Sequence, residues 1–288
     1  RVEGEQRYWV PILEGAERLG VLRVGWAGDP DRSPMRDLAA MVALLVIAKR
    51  SNSDAYARLI RVRPMSVSAE MQWTLMPPGT FADSRVTISA AIEPAYDNAG
   101  DAFDYALAGE VAHLAMFDAM GHDTAAGLIA NLAVGAFRNE RRKGTSLAGI
   151  CRAVEATLVE EFVHTRFATA IMAELNMATG RLEWINCGHL PPVLIRGGRV
   201  RDMGCEPSHP LGTDLGLPVT VCREQLQPGD RLLLYTDGII EARDSQGHEF
   251  GLERFVDFVI RHQGDSMPVP ETLRRLVHAV LEYHHGRL

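Results

Sequence analysis

Aspartates near glycines, in three separate segments, are the residues of this sequence best suited to chemistry. The segments are Gly100-Asp101 with Asp104, Asp118-Ala119-Met120-Gly121-His122, and Thr236-Asp237-Gly238. The second and third follow apolar runs typical of β-strands, so the carboxylates of Asp118 and Asp237 are expected where a sheet ends. Carboxylate and carbonyl oxygens are the ligands that Mg²⁺ and Mn²⁺ prefer, and a pair of such ions could activate water against a phosphate ester.

Each Asp-Gly pair also has a purely structural explanation. Asp hydrogen-bonds to its own backbone and Gly adopts positive φ without steric cost, so the pair is common in turns. One segment of this kind favours a turn, whereas three segments, two of them directly after apolar strands, favour a metal site. Spacing along the chain leaves open whether the carboxylates meet in space.

Two histidines are candidates for a general acid that protonates the leaving oxygen. His122 lies four residues after Asp118, and the sequence leaves its role open between general acid and structural residue. His189 stands in Gly188-His189-Leu190-Pro191-Pro192, which is more typical of a structural hydrogen-bonding residue in a tight turn. Since the sequence has no Gly-x-Ser-x-Gly motif, a serine-hydrolase nucleophile is not predicted.

Charge and composition argue against several other classes of protein. The formal net charge is −7, whereas nucleic-acid and anionic-membrane binders need clustered Lys and Arg. The longest apolar run, Leu38 to Ala48, is far shorter than the roughly 18 residues that a membrane span needs. The four cysteines show no Cys-x-x-Cys spacing. We therefore expect no disulfide framework, no zinc site and a cytoplasmic location.

The order of the predicted elements indicates antiparallel sheets covered by helices. The pattern predicts strands at 86–92, 102–107 and 111–117, helices at 124–140 and 146–162, strands at 167–175, 181–186, 192–195 and 229–235, and helices at 251–263 and 270–284. The absence of a regular βαβ alternation favours the α+β class. The preferred arrangement is a four-layer α-β-β-α sandwich.

A separate region is predicted before this sandwich. Two strands at 7–12 and 19–26 precede a helix that begins at Ser33-Pro34 and extends to about residue 61. A second amphipathic helix is predicted from Ser66 to Leu75. The predicted domains are residues 1–62, the last part of a preceding α/β domain with its exit helix, and residues 63–288.

Ordered motifs from about Met65 to Phe258 give the chain a family resemblance. The motifs are Ala69-Glu70-Met71-Gln72-Trp73 with Leu75 and Pro77, Gly100-Asp101-Ala102-Phe103-Asp104-Tyr105, Asp118-Ala119-Met120-Gly121-His122, Phe167-Ala168-Thr169-Ala170, Asn186-Cys187-Gly188-His189-Leu190-Pro191-Pro192, Pro210-Leu211-Gly212, Gly229-Asp230 through Tyr235-Thr236-Asp237-Gly238-Ile239-Ile240-Glu241-Ala242, and Phe250-Gly251. In this order they resemble the SpoIIE/RsbU-type branch of the metal-dependent, type-2C (PPM) protein serine/threonine phosphatases. The ordered set is highly specific.

The resemblance implies a site with two Mn²⁺ or Mg²⁺ ions. Asp118 would be shared between the ions, and the carbonyl of Ala119 would contribute to one of them. Asp237 would hold one ion, and Asp101 would contact the other directly or through water. The implied substrate is phosphorylated Ser or Thr on an anti-anti-sigma factor with a STAS domain.

The resemblance also bears on the N-terminal region. Residues 1–62 weakly resemble the end of a GAF-like sensory domain. The exit helix and the following helix could join two copies into a homodimer that transmits a signal. The alternative is that both apolar stripes pack on their own domains.

Three departures from the family pattern affect the expected site. Ala99 replaces the first Gly of a common Gly-Gly-Asp, which is a mild change. Asp123 replaces a Gly, and could cap the next helix, which we prefer, or perturb metal affinity. The family usually has another metal-binding Asp in an Asp-Asp motif after the last helix. Because this sequence ends at Leu288, we expect truncation and a weakened site.

The sequence thus supports two hypotheses of different classes. The first is a phosphoprotein phosphatase that uses a metal-activated water, with Asp118 and Asp237 as the main site residues. The second is a catalytically weak binding module that keeps the fold and recognises a phosphoprotein in a partner-switching pathway. Neither hypothesis includes nucleic acid or membrane among the partners.

Overall fold

The computed structural model describes residues 5–27, 32–50, 53–61, 63–93, 100–264 and 267–284. The chain divides into two compact units, Arg1–Pro64 with Pro78–Ile88, and Met65–Pro77 with Ser89–Leu288. Ala99 and Leu288, which entered the comparison with the family pattern, lie outside the described residues. No helix in the described ranges is both long enough and apolar enough to cross a bilayer.

The first unit contains a β-hairpin and two helices. Strands β1 (Glu5–Glu14) and β2 (Glu17–Ala27) pair antiparallel, and helix α1 (Arg32–Arg50) contacts β1. Helix α2 (Asp54–Ile60) is separate, because Ser53 is extended (φ −153°) and its hydroxyl accepts a hydrogen bond from the Ala55 N–H as an N-cap. The single helix predicted from residue 33 to about 61 is therefore wrong. The GAF-like assignment and the boundary at 62 stay predictions.

Two short strands, β3 (Thr80–Ala82) and β4 (Thr87–Ser89), form a small sheet of their own.

The second unit opens with α3 (Val67–Leu75), which confirms the predicted helix, and the Ser66 hydroxyl caps it by accepting from the Ala69 N–H at 3.1 Å.

The remaining elements of the second unit form two antiparallel sheets and their helices. In chain order they are β5 (Asp101–Ala108), β6 (Val111–Ala119), α4 (Thr124–Arg142), α5 (Leu147–Phe162), β7 (Ala168–Asn176), β8 (Arg181–Cys187), β9 (Val193–Arg196), β10 (Arg199–Arg201), β11 (Cys222–Gln225), β12 (Arg231–Leu233), α6 (Asp237–Ile240), α7 (Leu252–Gly264) and α8 (Val269–Tyr283). The first sheet has the order β11-β8-β7-β6-β5 and the second β10-β9-β12.

Three apolar clusters separate four layers. Phe117 of β6, Phe137 of α4 and Ile150 of α5 belong to the cluster between the first sheet and its helices. Residues such as Trp184 of β8 and Leu194 of β9 fill the space between the sheets. The third cluster lies between the second sheet and α7 and α8. The α+β sandwich predicted from the sequence is confirmed.

One expectation about the cysteines is wrong. Cys205 and Cys222 form a disulfide, with their Cα atoms 6.0 Å apart. The chain between them leaves the second sheet after β10 and joins the edge of the first sheet as β11. This path brings the two cysteines together, although their separation of 17 residues matches no familiar motif. Cys151 and Cys187 are free and buried. The cytoplasmic location, which was argued from unpaired cysteines, stays a prediction.

Candidate metal centre

Two of the three candidate carboxylates face each other across neighbouring strands. Asp101 opens β5 and is paired with Asp118, near the end of β6. Residues directly opposite in an antiparallel pair have their side chains on the same face, with Cβ atoms about 5 Å apart. The Ala119 N–H donates to the carbonyl oxygen of Gly100 at 3.0 Å, which extends the pairing past Asp101. The first sheet therefore presents these two aspartates as one rung.

The third carboxylate reaches this rung from the second sheet. Strand β12 leads through Tyr235 to Thr236, the N-cap residue of α6, and Asp237 is the first residue of that helix. The Thr236 hydroxyl donates to Asp101 Oδ2 at 3.1 Å, which ties the end of the second sheet to the first. The structure thus brings Asp101, Asp118 and Asp237 together at one rim of the sandwich.

Electrostatics shows that the three carboxylates affect one another. The pKa of Asp101 is raised to about 7, first by burial and then by the charges of Asp118 and Asp237, while the hydrogen bond from Thr236 lowers it. Burial, followed by the charge of Asp237, raises the pKa of Asp118 to about 6. Like charges that are held together at partly buried positions raise pKa values in this way. A divalent cation would neutralise this concentration of negative charge.

The donor set fits a hard divalent cation, although the side chains in the described part of the chain do not form a complete cage. Among the residues that the structure describes, no three His, Cys, Asp or Glu side chains are gathered tightly enough to hold an ion by themselves. Mg²⁺ characteristically keeps several waters and binds through one or two carboxylates. Backbone carbonyls such as that of Ala119 also count as ligands. The assignment of Asp101, Asp118, Ala119 and Asp237 as ligands stays a prediction.

Gly100 is the residue that allows this close approach of β5 and β6. A Cβ at position 100 would clash with the carbonyl oxygen of Ala119 and lie 3.0 Å from its carbonyl carbon. Both contacts are with backbone, so the strands themselves would have to move. The close contact of Gly100 with the Ala119 backbone therefore explains why glycine precedes Asp101.

Replacing Gly100 with alanine is expected to destabilise the protein by about 1–3 kcal/mol, as overpacking does, and to weaken Mn²⁺ binding. Denaturant unfolding and calorimetry would measure the two effects. Gly135→Ala is the matched control, because a Cβ there meets nothing within 4 Å in helix α4 and Ala is the better helix former. Equal Mn²⁺ affinity in the Gly100 variant and the parent would contradict this explanation.

The remaining candidates near Asp118 have different roles. His122 is exposed, and its assignment as general acid stays a prediction. Asp123 caps α4 by accepting from the Ala126 N–H at 2.9 Å, and it pairs with Arg166 at 2.8 Å. The hydrogen bond from Ala126, followed by that from Arg166, lowers the pKa of Asp123. The preferred interpretation of Asp123 as a helix cap is confirmed.

Asp104, which belongs to the first acidic segment, does not join the centre. Its side chain is buried on the opposite face of β5, where it accepts from Arg138 at 2.6 Å and Arg141 at 2.7 Å. Arg138 also donates to the carbonyl of Leu75 at 2.6 Å. This ion-pair group therefore connects α3, β5 and α4.

His189 is buried and both ring nitrogens are hydrogen-bonded, which confirms its structural interpretation. One ring partner is Thr169, and the sequence did not identify Thr169 or Thr236 as contributors to the site. The available signal was position, since Thr236 precedes Asp237 and Thr169 stands in a motif of the family resemblance. Neither position reveals the partner of the hydroxyl.

Comparisons with known proteins agree with this fold. A family model described as Stage II sporulation protein E (SpoIIE) matches residues 108–288. RsbP, named a phosphoserine phosphatase, of Bacillus subtilis (strain 168) is 24% identical over 166 residues, which are 56% of this chain and 41% of RsbP. The chain thus spans less than half of that curated relative.

Solved structures share the architecture. The RsbU and RsbW domains of Rv1364c from Mycobacterium tuberculosis match with a TM-score of 0.55 and 25% identity, over 67% of this chain and 53% of that one. RsbX, solved in complex with magnesium, matches with a TM-score of 0.51 and 13% identity, over 71% of this chain and 90% of that one. The second similarity concerns the fold alone. Because the family model covers more than half of the sequence, the chain belongs to the SpoIIE family.

Proposed function

We propose that this chain is a metal-dependent protein serine/threonine phosphatase, with Asp118 and Asp237 as its main site residues. The observation that carries the proposal is the meeting of Asp101, Asp118 and Asp237, delivered by two different sheets, at one rim. Two partly buried carboxylates, Asp101 and Asp118, beside the charge of the exposed Asp237 are costly for a fold unless a cation is bound. Family membership supports the same activity.

The residues of the proposed metal site have different roles. Asp101, Asp118, Asp237 and the Ala119 carbonyl would hold two Mn²⁺ or Mg²⁺ ions. When bound, the ions would supply positive charge that activates a water molecule and polarises the phosphoryl oxygens. Thr236 orients Asp101 through its hydrogen bond. The exposed His122 is proposed to protonate the leaving oxygen.

The proposed substrate is phosphorylated Ser or Thr on a STAS-domain protein of a partner-switching pathway. The similarity to RsbP, which is named a phosphoserine phosphatase, and to the RsbU and RsbW domains of Rv1364c supports this substrate class. A homodimer through the linker helices remains part of the proposal. It is supported by Leu38, Met41 and Leu45, which are exposed on α1.

The activity is tested with the full-length protein, a phosphoserine peptide and p-nitrophenyl phosphate. We expect hydrolysis in Mn²⁺ and none after the metal has been removed with a chelator, with recovery when Mn²⁺ is returned. Equal rates with and without a chelator would refute the metal-dependent mechanism.

The second candidate function is a binding module that recognises a phosphoprotein without turnover. It is favoured by the incomplete side-chain cage among the described residues. Calorimetry separates the two functions, since a binding module of this kind would bind the phosphoprotein but show no measurable Mn²⁺ affinity.

A further inference from the structure

His189 forms a hydrogen-bonded connection between the two sheets. It is 7% exposed. Its Nε2 lies 3.0 Å from the carbonyl oxygen of Tyr235, and its Nδ1 lies 2.7 Å from the Thr169 hydroxyl. Because a carbonyl oxygen can only accept, Nε2 carries the proton, and Nδ1 of the neutral ring accepts from Thr169. Thr169 belongs to β7 of the first sheet, whereas Tyr235 follows β12 of the second.

Both ends of this connection lie next to the candidate ligands. Thr169 is paired with Asp118 in the β6–β7 ladder, just as Asp101 is paired with Asp118 on the other side. The side chains of such a rung share one face of the sheet. At the other end, Tyr235 lies two residues before Asp237.

Asn186 holds His189 in place, and the connection is part of a closed network of contacts. The network runs from Asp118 through Thr169, His189, Tyr235 and Thr236 to Asp101, which is paired with Asp118. The Asn186 side chain accepts from the His189 N–H at 2.7 Å and donates to the His189 carbonyl at 2.9 Å. Burial lowers the pKa of His189 and so favours the neutral ring. The Thr236 hydroxyl closes this network of contacts by donating to Asp101.

We propose that His189 and Thr169 are positioning residues of the metal centre, which fix the distance between Asp237 and the Asp101–Asp118 rung. This proposal rests on the proposed function, because it assigns the closed network of contacts to cation binding. The hydrogen bonds of His189 join the two sheets next to Asp118 and Asp237, where the carboxylates repel one another. The hydrogen bonds keep Asp237 in the orientation that binding requires, as supporting residues around metal sites do.

Thr169→Val tests the proposal, because valine keeps the shape of the side chain and removes the hydroxyl. We expect Mn²⁺ binding, measured by calorimetry on the full-length protein, to weaken by about 10- to 100-fold. Thr169→Ser restores the hydroxyl and should bind Mn²⁺ as the parent does. Thr157→Val is the matched control, since its hydroxyl donates to the carbonyl of Ala153 within α5 and its loss should not change the affinity.

His189→Leu removes both ring hydrogen bonds and should weaken Mn²⁺ binding at least as much as Thr169→Val. If the two residues act through one connection, the double variant should bind no more weakly than His189→Leu alone. If His189→Leu does not fold, the comparison of Thr169→Val with Thr169→Ser decides the question. A Thr169→Val protein with parental Mn²⁺ affinity would overturn the positioning role.

The results for turnover remain separate from this test. A parent protein that binds Mn²⁺ but hydrolyses no phosphoester would refute the phosphatase proposal, while the affinity of Thr169→Val would still decide the positioning role. A parent protein with no Mn²⁺ affinity would refute both.

Discussion

Replacing Asp118 with asparagine is expected to lower Mn²⁺-dependent phosphoester hydrolysis by about 10³-fold or more, which corresponds to about 4 kcal/mol of transition-state free energy. Asp118 is the middle residue of the cluster, since it faces Asp101 in the β5–β6 ladder, and burial, followed by the charge of Asp237, raises its pKa. Asparagine has nearly the same shape but no charge. Steady-state kinetics with a phosphopeptide, together with calorimetry, would measure the loss of turnover and of Mn²⁺ affinity.

Asp123→Asn is the matched control for this experiment. The same chemical change occurs five residues further on, at an exposed position where asparagine also caps helices well. We expect turnover within about twofold of the parent, because the Asp123 side chain is engaged by Ala126 and Arg166. Unchanged turnover in Asp118→Asn would show that Asp118 is not a site residue. A large loss of turnover in Asp123→Asn would show that the Asp123 carboxylate contributes to the site.

The sequence predicted the fold well wherever local patterns determine the elements. The apolar pattern around Ala108-Gly109-Glu110 predicted β5, a tight turn and β6, and Gly109 has the positive φ of 60° that such a turn needs. Strands β10 (Arg-Val-Arg) and β11 (Cys-Arg-Glu-Gln) were missed because they lack the apolar run that marks the equally short β9 and β12. Their pairing partners, and not their own sequences, define them.

The candidate site was predictable as a set of residues but not as an arrangement. Asp118 and Asp237 were identified because each follows an apolar strand, and the structure shows that the strands belong to different sheets. Asp101 and Asp104 have similar surroundings in sequence, yet alternation along β5 turns them to opposite faces. The hydrogen bonds of Thr169 and Thr236 depend on the packing of the two sheets, which no local pattern specifies.

The Asp101 carboxyl is expected to make the metal-free protein less stable as the pH rises from about 4 to about 7. The pKa of Asp101 is about 7 in the folded state against a usual value of 3.8. At this residue the folded protein therefore keeps a proton that the unfolded chain has released, so the contribution of Asp101 to the free energy of unfolding falls with pH across this range and levels off above it. Since one pKa unit corresponds to about 1.4 kcal/mol, the Asp101 carboxylate alone costs about 4 kcal/mol above pH 7.

Asp101→Asn removes this cost and should make the metal-free protein more stable than the parent at pH 8. At pH 4 the two should unfold at similar denaturant concentrations, because the Asp101 carboxyl is then protonated in the folded parent. Asp123→Asn should show the opposite sign at pH 8, since hydrogen bonds lower the pKa of Asp123 in the folded state. Mn²⁺ should stabilise the parent more than Asp101→Asn, because the cation would offset the burial and repulsion of the charged carboxylate that the substitution removes. Denaturant unfolding in a chelator and in Mn²⁺ would measure these differences, and an Asp101→Asn protein no more stable than the parent at pH 8 would show that burial and the neighbouring carboxylates do not destabilise the Asp101 carboxylate in the fold.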